Sequence, residues 1–222
     1  KMNRKADRQF YTRQGGDFSR IIRKGNSPAD YTWEVTDKQG IKYIYGGEGA
    51  VLKGTITDAS GQSREVITEW KLKRVEETHG DYIEYVYETA DEPVRGGLVA
   101  KAIYLKEVRA GNSGQAPHTV VVLEGSKQKR LKNNNARYGF LTSSNRLLEK
   151  LTVHFQGSTL RSYAFTYSEG AFNKDVLTGV KQLDDKGAEV SYQNFDYYDD
   201  VQAAKGYVPF KEKQETWNTH ND

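Results

Sequence analysis

The chain has 222 residues, 33 Lys plus Arg against 30 Asp plus Glu, a formal charge of +3 and no cysteine. The near-balance of charge argues against the clustered basic footprint of a nucleic-acid binder. The lack of cysteine excludes disulfide frameworks, thiolate metal sites and cysteine nucleophiles. Although only 36% of residues are hydrophobic, 15 Tyr, 8 Phe and 3 Trp supply apolar area. A tyrosine buries its ring and keeps its hydroxyl wet, which suits sheets solvated on one face.

No apolar run approaches the roughly 18 residues of a transmembrane helix, so no membrane insertion by this segment is expected. No signal-peptide core follows the basic start Lys1-Met2-Asn3-Arg4-Lys5, and the chain reads as a segment of a longer precursor. Residues 1–17 are a lead-in, 18–204 an all-β domain and 205–222 a tail or linker in which alternation fades. The first strand runs from Phe18 to Arg23.

Turn residues then punctuate Tyr-, Val-, Ile- and Thr-rich runs at short intervals, the pattern of an antiparallel meander. Thr32–Thr36 leads through Asp37-Lys38-Gln39-Gly40 into Ile41–Tyr45, where Asp can bond the turn backbone and Gly can take positive φ. Asp58-Ala59-Ser60-Gly61 joins Val51–Thr57 to Arg64–Trp70. Glu77-Thr78-His79-Gly80 joins a run from Glu69 to Val75 to Tyr82–Tyr87, and Asp184-Asp185-Lys186-Gly187 joins Val180–Leu183 to Val190–Tyr192. Gly- and Pro-bearing stretches at Asp91–Gly97 and Gly111–Pro117 are expected as longer loops, and Lys127–Lys132 as a solvated basic loop.

A helical turn is expected at Ser143–Glu149, then a hairpin from Leu151–Phe155 through Gln156-Gly157-Ser158 to Leu160–Tyr167. By the two-residue period, Leu151, Val153 and Phe155 share one face and Tyr163, Phe165 and Tyr167 share one on the partner, both as core candidates. The expected fold is an all-β antiparallel meander of hairpins forming a large curved sheet or open sandwich with little helix. Its edges are expected at Phe18–Arg23 and Phe195–Tyr198, each adjoining a segment where alternation fails.

The catalytic constellations do not assemble in the sequence. His79, His118, His154 and His220 are scattered with no close pair, no serine sits in a Gly-x-Ser-x-Gly elbow, and no Gly-rich loop precedes Lys-Ser or Lys-Thr. Asp196-Tyr197-Tyr198-Asp199-Asp200 lacks the EF-hand spacing and its glycine. No catalytic, cofactor-binding or metal residue is therefore assigned. The aromatics Trp33, Tyr43, Tyr45, Trp70, Tyr82, Tyr85 and Tyr87 lie on strands, where they can stack a sugar, line an interface or serve as cross-strand core pairs.

In order, Phe18-Ser19-Arg20-Ile21, Trp33–Gly40, Tyr43-Ile44-Tyr45-Gly46, Glu69–Leu72 and Val75–Tyr87 form a series of landmarks. They continue with Tyr104–Asn112, Arg137–Phe140, Leu147–Leu151, Tyr163–Tyr167, Leu177–Leu183 and Phe195–Tyr198. The series resembles the SpvB-type N-terminal region of B components of insecticidal toxin complexes, over roughly residues 18 to 200. The Gly-closed turns followed by Tyr-x-Tyr also resemble YD or RHS repeats, although their spacing is irregular. The family's Gly-rich, Trp-bearing opening segment is not visible before Phe18. Nothing here resembles the ADP-ribosyltransferase portion that accompanies one member.

The resemblance implies a non-enzymatic structural module of a large, secreted or cell-surface, RHS-associated bacterial protein. Its partners would be other domains of the same polypeptide or toxin-complex subunits. A carbohydrate-binding or adhesion module using strand Tyr and Trp is the alternative, with a glycan as partner.

Overall fold

The computed structural model describes residues 2–6, 8–12 and 19–197. Strands run in chain order as β1 (Met2–Ala6), β2 (Gln9–Thr12), β3 (Arg20–Lys24), β4 (Thr32–Thr36), β5 (Lys42–Tyr45), β6 (Val51–Thr57), β7 (Ser63–Trp70), β8 (Leu72–Glu76) and β9 (Asp81–Val94). They continue as β10 (Leu98–Asn112), β11 (Thr119–Glu124), β12 (Asn134–Asn135), β13 (Thr142–Ser143), β14 (Lys150–Phe155), β15 (Ser158–Glu169), β16 (Asp175–Leu183) and β17 (Glu189–Asn194). The expected all-β meander forms. One 15-stranded sheet has the order β1-β2-β3-β4-β5-β8-β9-β10-β11-β14-β15-β16-β17, with β12 and β13 beside β10, and β6-β7 form a separate two-stranded sheet. All strand pairs are antiparallel except the bridge of Lys101 with Thr142.

Among the described residues the sole helix is the 3-10 turn Ala171–Asn173. The helical turn expected at 143–149 does not form. Thr142–Ser143 pairs with Asn134–Asn135 instead, and Arg146 bridges Gln128. The loops expected at 91–97 and 111–117 are shorter than their glycines and prolines imply. Strand β9 continues to Val94, with Pro93 in pairing register opposite Val99, and β10 reaches Asn112.

The four turns work as their sequences dictate. In each, the glycine takes positive φ (Gly40 87°, Gly61 81°, Gly80 96°, Gly187 85°) and its N–H donates to the carbonyl three residues back. The Asp37 carboxylate also accepts the N–H groups of Gln39 and Ile41 at 2.9 and 3.0 Å, and Asp58 and Asp184 do the same in their turns. Asp37→Ala should therefore cost about 1 kcal/mol, seen as a lower urea midpoint with an unchanged m value.

The sheet's edges differ from those expected. Arg20–Arg23 belongs to an inner strand because β2 pairs with β3 and β1 pairs with β2, so β1 is one edge. The other edge is β17, since Phe195–Tyr197 lies beyond the last strand; Phe18 and Tyr198 fall outside the described residues. Strands β1 and β2 fall within the stretch read as a lead-in.

Residues facing each other across a ladder lie on one side of a sheet. Phe10, Ile21, Val35, Tyr43, Val75, Ile83 and Ala110 stand opposite one another in succession from β2 to β10, giving an apolar row. One residue along, the row Glu34, Ile44, Arg74, Glu84, Arg109 emerges on the other face, with Arg74–Glu76 and Arg109–Glu107 pairs at 2.7 Å. Those half-exposed pairs are worth little individually.

A second layer covers part of the apolar face. The run expected as one strand from Glu69 to Val75 breaks at Lys71, where the chain leaves the β6-β7 hairpin and enters the large sheet. The Lys71 N–H donates to Ala50 O, and the Gly46 N–H to Lys71 O, both at 2.9 Å. Gly46, Gly47 and Gly49, all at positive φ, let the chain turn out of the sheet after β5. That is why β5 pairs with β8 and not with the next strand in sequence.

The most buried apolar residues are Ala50, Val51 and Leu52 of the hairpin and, on the Glu92 face of β10, Ala100 and Ala102, at 0% and 1% exposed. Among the described residues no large side chain is fully buried. The rows expected as core on β14 and β15 are half-buried, and Phe155 is 48% exposed. The residues buried there are Thr152 and Ser162, paired across the ladder on the opposite face.

Candidate functional site

The seven aromatics named from the sequence fall into two groups. Trp33 on β4 stands opposite Tyr45 on β5, and its indole meets Phe10 edge-on at 5.3 Å and Trp70 at 6.2 Å between ring centroids. The Trp70 Nε1–H donates to Tyr31 O at 2.6 Å, and the Arg23 guanidinium lies 4.1 Å from the Tyr31 ring centroid. This corner joins the sheet to its second layer. Tyr43 donates its hydroxyl to Asp37 at 3.3 Å, and burial together with that carboxylate raises its pKa.

Tyr82, Tyr85 and Tyr87 run along β9. Tyr82 is buried, donates to Gln115 O at 3.3 Å, and carries the Arg74 guanidinium 4.0 Å from its ring centroid. Tyr87 donates to Leu72 O at 2.8 Å, and burial raises its pKa. Tyr85 is half-buried opposite Val108. None of the seven is exposed, and five of them, Trp33, Trp70, Tyr43, Tyr82 and Tyr87, make a ring contact or side-chain hydrogen bond inside the molecule.

A polar node missed by the sequence reading sits on the far half of the β9-β10 arm. Glu88, Ala90 and Glu92 stand opposite Tyr104, Ala102 and Ala100, so they share one face. Glu92 is 4% exposed, a position that requires a partner for its charge. Arg146 supplies it through Nε at 2.9 Å, bonds Glu88 through Nη1, and stacks 4.6 Å from the Tyr104 ring centroid. Gln128 adds a donor to Glu92 at 3.1 Å. The carboxylates hold the Arg146 pKa above its ordinary value although burial opposes them.

No local motif signals this node, since its partners come from β9, β10 and both arms of the loop between β11 and β14. Glu92→Ala should cost about 2 kcal/mol in urea denaturation, because Arg146 keeps some access to water after losing its buried partner.

The same loop lines a cleft of about 490 Å³. Its walls are Leu105 and Lys106 of β10, Leu123 and Glu124 of β11, and Arg146–Glu149. The cleft exists because β10 skips a residue in its ladder between Leu105 and Glu107. The β10-β11 pairing runs from Glu107 to Ala110, so the strands part beyond it. The Glu149 carboxylate accepts the N–H groups of Ser126 and Lys127 at 2.8 and 3.0 Å, which lowers its pKa. The expected basic loop is exposed but tethered: Arg130 pairs with Asp175 and lies 3.6 Å from Glu169. Among the described residues no cluster of His, Asp and Glu has the arrangement of a metal site.

No curated protein matches the chain. Among solved structures, the N-terminal domain of effector protein SpvB from Salmonella typhimurium strain LT2 is similar at 16% identity and TM-score 0.58. The alignment covers 79% of this chain and 68% of that one. A TcdB2-TccC3 structure is similar at 16% identity and TM-score 0.58, and a Photorhabdus luminescens Tc holotoxin pore at 16% and 0.61. Each covers 85% of this chain, which spans just 12% and 11% of those chains. At such identities the likeness establishes the fold. The sequence itself matches the SpvB family, the Salmonella virulence plasmid 65kDa B protein, over residues 5–133, more than half of its length. Landmarks, fold and family match agree, and the chain belongs to the SpvB family.

Proposed function

We propose that the chain is a non-enzymatic structural module of a large secreted or cell-surface toxin protein. In that role it contributes sheet to a β-rich shell or scaffold and works by contact with other domains of the same polypeptide or with toxin-complex subunits. The observation carrying this reading is the sheet itself: a long open meander whose outermost strands among the described residues are β1 and β17. Such a sheet can offer its outer strands to neighbours, and SpvB-family membership supplies the toxin context. The module body is drawn from β1 to β17, taking in the stretch before residue 18.

The glycan-binding alternative needs ring faces open to solvent. Trp33 and Trp70 instead face Phe10 and each other, which favours a framework role for them. The test joins the chain to the adjoining segments of its parent polypeptide and follows amide exchange. Slower exchange in β17 or β1 on joining, with no turnover on ADP-ribosylation or glycan-hydrolysis panels, supports the module. Catalytic turnover by the chain alone overturns it, as does glycan-array binding that Trp33→Ala or Trp70→Ala abolishes without unfolding.

A further inference from the structure

Residues 125–149, between β11 and β14, are bound together and bound to the sheet by chemically different means. Inside the segment, beyond its base at Glu149, no tie uses a carboxylate; the Lys129 ammonium, for example, donates to Ser144 O at 2.9 Å. Asn145, 2% exposed, accepts the Asn133 N–H on its side-chain oxygen at 2.6 Å and the Lys129 N–H on its carbonyl at 2.6 Å, and donates to Asn134 at 3.0 Å. Strands β12 and β13 pair, and the Leu147 N–H donates to Lys127 O at 2.8 Å. These bonds do not depend on a carboxylate.

At its neck, by contrast, the segment is held by carboxylates. Arg146 and Gln128 grip Glu92 and Glu88 on β9. On the other side, the Arg130 guanidinium and its backbone N–H both bond Asp175, whose side chain is 4% exposed, and Glu169 stands nearby. The Glu149 carboxylate closes the base through Ser126 and Lys127. Four neutral bonds also hold the neck: the Asn145 N–H donates to Tyr104 at 3.1 Å, Tyr167 donates to Leu148 O at 2.7 Å, the Phe165 N–H donates to Glu149 O at 2.9 Å, and the Glu149 N–H donates to Glu124 O at 2.8 Å.

The tip is held differently again. Phe140 fills the space over Gly54, where no Cβ could fit, Gly139 lies against Ile56, and the Lys101 N–H donates to Leu141 O at 2.8 Å. We propose that residues 125–149 form a strap whose charged neck opens in acid about this fixed tip, unlatching one wall of the cleft between β10 and β11.

The sign follows from linkage. A carboxylate stabilised in the fold by cations or N–H donors contributes stability above its unfolded pKa and loses it as pH falls through its folded value. Glu149, lowered from an ordinary 4.5 by the Ser126 and Lys127 N–H groups, keeps its charge below that pH, so the base of the strap is released only in stronger acid. Around these acids stand Arg146, Gln128 and Tyr104; Arg130 and Tyr167; and Lys127. Lys101 pairs with Asp91 at 2.7 Å, one residue out of step with Glu92 and so on the other face. Opening would expose Leu147, now 8% exposed, beside Leu105 and Leu123.

The experiment measures amide protection in the unmodified chain from about pH 6 to about pH 3.5. Ser126, Lys127, Arg130 and Asn145 report the neck, Lys101 the tip, and Val121 and Val153 the sheet. The expected result is at least a tenfold loss of protection at the four neck amides while Lys101, Val121 and Val153 stay protected. Glu92→Gln with Asp175→Asn, which remove charge and keep shape, should reproduce much of that loss at neutral pH. Neck amides that stay protected to about pH 3.5 overturn the proposal, as does loss of protection at neck and sheet in step.

Discussion

Replacing Trp70 by alanine should destabilise the chain by about 3 kcal/mol, toward the lower end for removing a large aromatic side chain because Trp70 is only half-buried. The cost has named parts. The edge-on contact with Trp33 is lost, Tyr31 O loses its indole donor, and the space beside Gly46 empties. Trp70 is the last residue of the β6-β7 hairpin, one position before the chain crosses into the large sheet. Its loss should therefore free the hairpin before the sheet unfolds. Trypsin should then cut at Lys53 or Arg64 under conditions where β9 and β10 remain protected. Trp70→Phe keeps a ring against Trp33 and loses the N–H, and should cost about 1 kcal/mol. If Trp70→Ala costs no more than Trp70→Phe, the indole does not pin the second layer.

What the sequence made legible was local. The Asp-x-x-Gly turns could be read because the requirement for positive φ and for a carboxylate on the turn amides is written within four residues, and Glu77–Gly80 through its glycine alone. The meander followed from those turns. Which strand leaves the sheet was less accessible. Val51–Thr57 alternates as well as its neighbours, and the glycines at 46, 47 and 49 were the signal that the chain turns away before it.

Alternation also says which residues share a face and nothing about which face is covered. Leu151, Val153 and Phe155 were grouped correctly by the two-residue period, yet among the described residues they stay half-buried or exposed, and the buried pair is Thr152 with Ser162. The strap was invisible for a further reason. Arg146 finds Glu88 and Glu92 across more than fifty residues, and Ser143–Glu149 carries helix-compatible residues that Asn145 holds in an irregular path. Tertiary hydrogen bonds override a weak local propensity.

Gly125→Ala is the second substitution with a large expected effect, because it tests how closely the strap is built against itself. Gly125 follows the last residue of β11, and a Cβ there would fall far inside contact distance of the Leu147 carbonyl oxygen and close to the Leu148 Cα. Both neighbours are backbone, so no side chain can swing aside. To make room, Leu147 must shift and loosen the bond from its N–H to Lys127 O, or Glu149 must release its N–H from Glu124 O. The expected cost is about 3 kcal/mol, the upper end for overpacking. Gly61→Ala is the control, since its Cβ would meet nothing within 4 Å and only its positive φ of 81° resists, at about 1 kcal/mol. Urea denaturation of the two variants measures the difference. If the strap yields by detaching, Lys127, Lys129 and Arg130 should also become trypsin-sensitive in Gly125→Ala and not in Gly61→Ala. Equal costs with an uncut strap would mean that 125 and 147 are not locked together, and that the neck is looser than its hydrogen bonds imply.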